Sequence, residues 1–323
     1  MCTRVVYSGS NGMVATGRSM DWKTDMHSNL WVFPRGMKRN GETGENSLEW
    51  TSRYGSVVTS AFEIASTDGM NEKGLVANLL WLPETEYPVR DKNKPGLAIT
   101  AWVQYMLDNF ATVEEAVAYI DEDTFQVVSD MMPDGSRLAT LHLSISDATG
   151  DCAIFEYIGG KLTVYHSKEY KVMTNSPTYN KQLALSEYWK SIGGLSFLPG
   201  TNRAADRFAR ASFYINALPE TDDERIAVAS VFSVVRNASV PYGISTPESP
   251  EISTTQWRTV SESKNLRYFF ESSLTPNTFW VNLKDFDLSE APVCDGRVCR
   301  GPDLPYIFLE PSVRYRQCCG EYR

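Results

Sequence analysis

Short runs of strand-forming residues, closed by glycine-containing turns, dominate the first half of the 323-residue chain. The first run ends in the turn sequence Ser-Gly-Ser-Asn-Gly at 8–12, and the chain returns over 13–20. Residues 138–146 alternate between apolar and polar side chains, which is typical of a strand with one buried face, and Gly159-Gly160 closes a further hairpin. Because hairpins join antiparallel neighbours, the pattern predicts mostly antiparallel sheets.

Helical segments interrupt these strands twice. The pattern predicts a helix over 97–110 and another that begins at Thr112, which forms a capping box with Glu115. Three more helices are expected over 179–192, 204–218 and 222–236, and strands return between 256 and 283. Two sheets covered by helical layers pack these elements most economically. We therefore expect an α+β fold with two mostly antiparallel sheets.

Composition limits the function classes. The net charge is −9 and no basic stripe is present, so the chain is a poor candidate for nucleic-acid binding. No stretch approaches the ~20 apolar residues of a membrane span. Proline, glycine and cysteine become frequent only after Asp287. We expect one domain over 1–287 and a cysteine-containing tail over 288–323.

The tail holds four of the six cysteines, which are Cys294, Cys299, Cys318 and Cys319. Their spacing is poor for a zinc site, and we expect no metal. They would form disulfides in an oxidising compartment and remain free thiols in a reducing one. The N-terminus has no signal pattern, which indicates a cytoplasmic protein, or a periplasmic or secreted one if a signal peptide has been removed.

Cys2 directly follows the initiator methionine, which is commonly removed before so small a residue. Removal would leave a thiol and a free α-amine on one residue, with reference pKa values of about 8.5 and about 7.7–8.0. The amine could then relay a proton for the sulfur, a recognised way to activate a nucleophile. A cysteine that stands at position 2 by chance would give the same sequence, so the catalytic interpretation of Cys2 depends on other residues of the chain.

Three further segments carry side chains that such a site needs. The first hairpin should bring Arg18 and Asp21 near Cys2, where an arginine favours thiolate and an aspartate can orient the amine. Asn175 follows a strand predicted over 170–174, and its amide could donate to an oxyanion. The loop at 198–203 enters a helix with three arginines: Arg203, Arg207 and Arg210. Taken singly, each of these residues also has a non-catalytic interpretation. Arg18 and Asp21 could form a surface ion pair, and Asn175 could stabilise a turn. The arginines could lie on a solvated helix face.

Together the motifs resemble the choloylglycine hydrolase family, which contains bile salt hydrolases and penicillin V acylases and belongs to the N-terminal nucleophile hydrolases. The resemblance rests on five segments, at 1–4, 17–22 (Gly-Arg-Ser-Met-Asp-Trp), 71–75 (Asn-Glu-Lys-Gly-Leu), 173–177 (Met-Thr-Asn-Ser-Pro) and 198–210. It extends to about residue 285 and implies a four-layer αββα sandwich.

The resemblance also implies roles for matching residues. Cys2 would be the nucleophile with its α-amine as the base, Asp21 would bind that amine, and Arg18 would tune the thiol. Asn175 would donate to the oxyanion, and Arg207 matches the family's second active-site arginine. Arg210, one turn further along the helix, is a substrate-binding candidate. No cofactor is implied.

Trp81 departs from the best-known members, which carry Asn or Tyr six residues after the leucine of the 71–75 motif. An indole has no amide, so the second oxyanion donor would be the backbone N–H of residue 81 or another group. The surrounding sequence resembles the branch found in Gram-negative bacteria. Trp81 and Trp22 are expected to bind substrate, although a plain core role for Trp81 also fits.

The implied reaction is hydrolysis of a linear amide C–N bond through a thioester on Cys2. The substrate would carry a bulky apolar acyl group, as in bile salt deconjugation or penicillin V hydrolysis. Alternatives are acyl homoserine lactone hydrolysis and a non-catalytic relative that binds bile acids or lipids. Loops around 22–27, 58–68 and 130–137 would set the choice. We expect a homo-oligomer, either a dimer or a tetramer, and structural or exposed roles for His142 and His166.

Overall fold

The computed structural model describes residues 1–121, 123–247, 252–275 and 277–289 and a strand at Ile307–Leu309. The four tail cysteines and the predictions made for them lie outside these residues. No helix in the described part of the chain has the length and apolar character needed to cross a membrane.

The strands, numbered along the chain, are β1 (Cys2–Ser8), β2 (Val14–Trp22), β3 (Leu30–Phe33), β4 (Lys38–Asn40), β5 (Glu49–Thr51), β6 (Ser56–Ala61), β7 (Ala65–Asn71), β8 (Val76–Trp81), β9 (Gly96–Ala98), β10 (Gln126–Val128), β11 (Leu141–Ser146), β12 (Cys152–Ile158), β13 (Lys161–His166), β14 (Val172–Met173), β15 (Thr254–Glu262), β16 (Arg267–Ser272), β17 (Thr278–Asn282) and β18 (Ile307–Leu309). The helices are α1 (Trp102–Asn109), α2 (Val113–Asp121), α3 (Tyr179–Ile192), α4 (Ala204–Ala217) and α5 (Glu224–Asn237). Short 3-10 helices lie at Ile99–Ala101 and Leu283–Asp285.

Two large antiparallel sheets form the centre of the fold. One has six strands in the order β14-β1-β2-β15-β16-β17, and the other has eight in the order β13-β12-β11-β8-β7-β6-β3-β18. Helices α4 and α5 pack on β1, β2 and β15, while α1 and α2 pack on β7, β8 and β12 of the other sheet. The layers are therefore helix, sheet, sheet and helix, and the predicted αββα sandwich is confirmed.

Close contact between α5 and the six-stranded sheet depends on Gly17 in β2. A Cβ atom at this position would lie 2.5 Å from Cγ1 of Val231 and 2.8 Å from Cγ2 of Val235, both on α5. Both valines are fully or almost fully buried. The glycine of the 17–22 motif therefore lets the helix lie directly against the strand that carries Arg18 and Asp21.

The secondary structure differs from the sequence prediction mainly at α1 and β7, and the short strands β4, β5, β9 and β10 were not predicted either. The helix expected over 97–110 begins only at Trp102, because the preceding residues form β9, which pairs in parallel with β10. Strand β7 was missed because its sequence, Ala-Ser-Thr-Asp-Gly-Met-Asn, lacks the apolar alternation of a half-buried strand. Its buried Asp68 faces polar partners instead of a hydrophobic core.

Candidate active site

Cys2 lies at the start of β1, opposite Met20 on β2 in an antiparallel register set by the 8–12 turn. Its side chain is 3% exposed. The Sγ atom lies 3.7 Å from Sδ of Met20 and 3.9 Å from Nη2 of Arg18. The register places Arg18 opposite Arg4, close to the start of the chain, so the predicted approach of Arg18 to Cys2 is confirmed.

Arg18 is fully buried between the sheets, and its guanidinium contacts residues from several strands. Its Nη2 donates to the carbonyl of Leu79 at 2.6 Å, and its guanidinium lies over the ring of Trp257. Its Nη1 is 3.7 Å from Oδ2 of Asp68, a counter-ion that the sequence analysis missed. Burial raises the pKa of Asp68, and the nearby Arg18 opposes that shift.

Asp21 flanks the beginning of the chain. Its Oδ1 accepts a hydrogen bond from Oγ1 of Thr255 at 2.6 Å, while Oδ2 is buried without a hydrogen-bond partner in the described structure. Its backbone carbonyl accepts from the terminal amine of Met1 at 2.6 Å. Burial lowers the pKa of this amine, and electrostatic interactions with Cys2 and Asp21 oppose the shift.

Asn175 connects three parts of the site. Its Oδ1 accepts from the backbone N–H of Cys2 and from Nη2 of Arg207, both at 2.7 Å. Its Nδ2 donates to the carbonyl of Trp81 at 2.6 Å. One of its two amide hydrogens is therefore already bonded to protein.

Arg207, on α4, is fully buried and reaches across to the nucleophile strand. Its Nη1 donates to the carbonyl of Cys2 at 2.5 Å and to Oγ1 of Thr3 at 2.6 Å, and it lies 3.9 Å from Oδ2 of Asp21. Burial lowers the pKa of Arg207, while Asp21 and Cys2 raise it. The structure thus brings Cys2, Arg18, Asp21, Asn175 and Arg207 together.

Arg210 is not brought to this cluster. Its Nη1 donates to the carbonyls of Pro199 and Thr201, at 2.7 Å and 2.9 Å, and so holds the loop before α4. These contacts give Arg210 a structural role, and its role in substrate binding stays a prediction.

A mainly apolar pocket opens beside the sulfur of Cys2, with a volume of about 710 Å³ including its open mouth. The rings of Trp22 and Trp81 line it with centroids 5.4 Å apart, tilted by 53°. Each of the three loops named above contributes to the lining, for example through Met26, Phe62 and Met131. The guanidinium of Arg137 stacks on Trp81, 4.3 Å from the ring centroid, an interaction that the sequence did not indicate.

The histidines lie outside this cluster. His142 is 1% exposed and hydrogen-bonded within the fold, and the side chain of His166 is 35% exposed at the end of β13. Both placements confirm the expectation of structural or exposed histidines.

Comparisons with known proteins agree with the fold and the site. Residues 2–298 match the family model described as linear amide C–N hydrolases, choloylglycine hydrolase family. A penicillin V acylase from Pectobacterium atrosepticum is 50% identical over 328 residues, which cover 95% of this chain and 87% of the relative. A bile salt hydrolase/transferase from Clostridium perfringens is 28% identical over 269 residues, 75% of this chain and 80% of that protein.

Solved structures give the same result. The structure of a penicillin V acylase from Agrobacterium tumefaciens has 60% sequence identity and a TM-score of 0.84, and the match covers 89% of this chain and 88% of that one. A conjugated bile acid hydrolase from Clostridium perfringens, 24% identical, shares the fold with a TM-score of 0.77 over 89% of this chain and 94% of that one. This chain therefore belongs to the choloylglycine hydrolase family and is a linear amide C–N hydrolase.

Proposed function

We propose that this enzyme hydrolyses the side-chain amide of penicillin V, with Cys2 as its N-terminal nucleophile. The observation that carries the proposal is the position of the Cys2 sulfur, beside an apolar pocket and close to buried polar groups from β2, the segment after β14 and α4. The two penicillin V acylases at 50% and 60% identity support this substrate over bile salts, whose hydrolase is 28% identical.

The proposed enzyme forms when Met1 is removed. The nitrogen of Cys2, now 2.7 Å from Oδ1 of Asn175, would then become a free amine. The Oδ2 atom of Asp21 supports this step, because this buried oxygen accepts no hydrogen bond in the described structure and its nearest cation, Nη1 of Arg207, is 3.9 Å away. An ammonium would supply the missing donor. In the proposed arrangement, Asp21 holds the amine while Asn175 fixes its direction.

The reaction would proceed in two acyl transfers. The Cys2 sulfur attacks the amide carbonyl carbon, and the α-amine takes the thiol proton. The C–N bond breaks as the α-amine gives that proton to the departing nitrogen, which leaves a thioester on Sγ. The amine then takes a proton from water, and the hydroxide attacks the thioester carbonyl carbon. The C–S bond breaks as the ammonium returns its proton to the sulfur, which releases the carboxylic acid and restores the thiol and the free amine.

Two donors are proposed for the oxyanion. One is the second amide hydrogen of Asn175, whose Nδ2 lies beside β8. The other is the backbone N–H of Trp81. The N–H and C=O of a strand residue point to the same edge, and the carbonyl of Trp81 points at Asn175. Residue 81 has an indole where some of the best-known family members have the amide side chain of Asn, so this oxyanion site would depend on the backbone N–H of residue 81.

The pocket suits a flat aromatic acyl group. Ligand pockets are lined mostly by apolar and aromatic side chains, as this one is. The tilted rings of Trp22 and Trp81 offer both faces and edges to a phenoxy ring, the arrangements that aromatic pairs prefer.

The test is hydrolysis of penicillin V by protein whose N-terminal residue has been verified as Cys2. We expect turnover to exceed that of glycocholate, taurocholate and a long-chain acyl homoserine lactone. Cys2→Ser should nearly abolish turnover without unfolding the protein, whereas Cys152→Ser, at the buried free cysteine on β12, should retain it. Full activity of Cys2→Ser would contradict the mechanism, and faster cleavage of a bile salt would contradict the substrate.

We also propose a homo-oligomeric assembly, a dimer or a tetramer. Exposed apolar side chains on α3 and the loop after it support this, with Tyr188 61% exposed, Leu195 96% and Phe197 56%. Light scattering after gel filtration tests it, and a monomer at micromolar concentration would contradict it. The cytoplasmic location, or a periplasmic or secreted one after loss of a signal peptide, stays a prediction.

A further inference from the structure

A buried histidine–glutamate pair lies next to the strand end that carries Asn175. His142 on β11 and Glu156 on β12 are 1% and 0% exposed. Nδ1 of His142 lies 2.9 Å from Oε1 of Glu156, and Nε2 lies 3.0 Å from the backbone carbonyl oxygen of Thr174. Thr174 directly precedes Asn175, so this imidazole links the interior of the sandwich to the segment that positions the amide of Asn175.

Both neighbours of the ring are hydrogen-bond acceptors when Glu156 is ionised. A carbonyl oxygen can only accept, and so can a carboxylate, whereas a neutral imidazole has a single N–H to donate. Both contacts can be made only if the pair holds one more proton than a neutral ring beside a carboxylate does. That proton resides either on the second ring nitrogen or on Glu156.

The surroundings of Glu156 favour the carboxylate. Its two oxygens accept from the backbone N–H of Tyr179 at 2.9 Å and 3.2 Å, and Tyr179 is the first residue of α3. The N-terminus of a helix carries a partial positive charge that stabilises an anion. These contacts favour the extra proton on the ring, with His142 as an imidazolium beside a carboxylate.

The other titratable groups named around the pair do not take over the charge balance between His142 and Glu156. Burial raises the pKa of Tyr165 on β13 and of Tyr179, so both phenols are neutral near pH 7. Arg4 on β1 is a cation near Tyr179, and its charge partly opposes the rise in the pKa of that phenol. The positive ring and the negative carboxylate thus balance each other within the sandwich.

We propose that His142, as an imidazolium paired with Glu156, is a positioning residue that holds the carbonyl of Thr174 and thereby sets the direction of Asn175. The side chain of Thr174 is fixed separately, through hydrogen bonds with Gln182 and with the carbonyl of Ala204, both at 3.0 Å. His142, in contrast, holds the backbone carbonyl of Thr174. The effect on catalysis rests on the proposed function, in which Asn175 donates to the oxyanion.

The protonation state can be measured without any activity. The chain has three histidines, so ¹⁵N spectra of the imidazole rings are readily assigned. At pH 7.5 we expect protons on both ring nitrogens of His142. In Glu156→Gln, the amide N–H of the new residue can donate to Nδ1, so a neutral ring with one proton on Nε2 is expected. A neutral ring in the unsubstituted protein would overturn the proposal.

The positioning role is tested by kinetics in the Glu156→Gln background. In that background, replacing His142 does not leave the buried carboxylate of Glu156 without its partner. Glu156→Gln alone keeps the donor to Thr174, so its kcat should stay within about threefold. Adding His142→Phe should lower kcat on the order of tenfold, with little change in KM, because an oxyanion donor acts mainly in the transition state. Ser144→Ala, at a neighbouring buried hydroxyl without a hydrogen-bond partner in the described structure, is the control and should match the unsubstituted enzyme.

Coupling to Asn175 separates positioning from general destabilisation. If His142 acts through Asn175, the loss caused by His142→Phe should disappear when Asn175→Ala is already present. An undiminished loss in that background would overturn the positioning role. If Asn175→Ala itself leaves kcat unchanged, the proposed oxyanion site fails, while the ¹⁵N result still decides the state of the pair.

Discussion

Replacing Asp21 with asparagine tests the most specific electrostatic feature of the site. The asparagine oxygen can still accept the hydrogen bond that Oδ1 now accepts from Thr255. The other carboxylate oxygen is buried, accepts no hydrogen bond in the described structure and lies 3.9 Å from Nη1 of Arg207; it becomes an NH₂ group. The substitution therefore removes the charge that the terminal amine of the processed enzyme would contact, with little change of shape.

The expected loss follows from the kind of interaction removed. A hydrogen bond to a charged group contributes roughly 1.5–3 kcal/mol, which corresponds to roughly 10- to 150-fold in rate. The sign also follows from the structure, because the negative charge of Asp21 raises the pKa of the Met1 amine and would act in the same direction on the amine of Cys2 once Met1 is removed. Without that charge the amine is a weaker base towards the thiol.

The assay is kcat/KM for penicillin V with an N-terminus verified by mass spectrometry and with a thermal unfolding curve for each variant. Asp222→Asn serves as the control, because it removes one carboxylate from an exposed position outside the pocket lining, where Asp222 accepts a hydrogen bond from Asn11. We expect Asp21→Asn to lose at least tenfold and Asp222→Asn to retain activity. A folded, processed Asp21→Asn enzyme with unchanged kcat/KM would refute the role of Asp21.

Three further substitutions probe the pocket, the second arginine and the packing. Trp81→Ala removes a ring that lines the pocket and would pair with the phenoxy ring of the substrate; an aromatic pair is worth about 0.5–1.5 kcal/mol, so KM for penicillin V should rise roughly 2- to 13-fold, and an unchanged KM would contradict an aromatic acyl site. Arg207→Lys keeps the charge, but one ammonium cannot replace the fork that contacts Cys2, Thr3 and Asn175, so kcat/KM should fall, and full activity would show that charge alone suffices. Gly17→Ala places a Cβ 2.5 Å from Val231, and overpacking of this kind should lower the free energy of unfolding by about 1–3 kcal/mol; an unchanged denaturant midpoint would show that α5 moves freely.

The sequence predicted the parts of the site that local rules determine. The turn at 8–12 fixes the register of the first hairpin, so the approach of Arg18 and Asp21 to Cys2 follows from their spacing alone. Asn175 and Arg207 are 173 and 205 residues from Cys2, and no local rule links them to it. They were assigned only because their motifs resemble those of a known family.

Asp68 and Thr255 show what the sequence could not predict. Each is a common residue in a strand without a motif, and each acts on a partner whose position depends on tertiary structure. Asp68 meets Arg18 only because the two sheets face each other, and Thr255 meets Asp21 because β15 pairs with β2 across 234 residues of chain. The same holds for His142, whose role becomes visible only once Glu156 and Thr174 are seen on either side of its ring.

The central claim is that Cys2, freed at the N-terminus, carries the acyl group during turnover. The most direct measurement is mass spectrometry of active enzyme, intact and after acid quenching with penicillin V in excess, followed by peptide mapping. We predict a mature chain that begins at Cys2 and a phenoxyacetyl thioester on that residue. Active enzyme that retains Met1, or an acyl group found at Cys152 or elsewhere, would contradict the account.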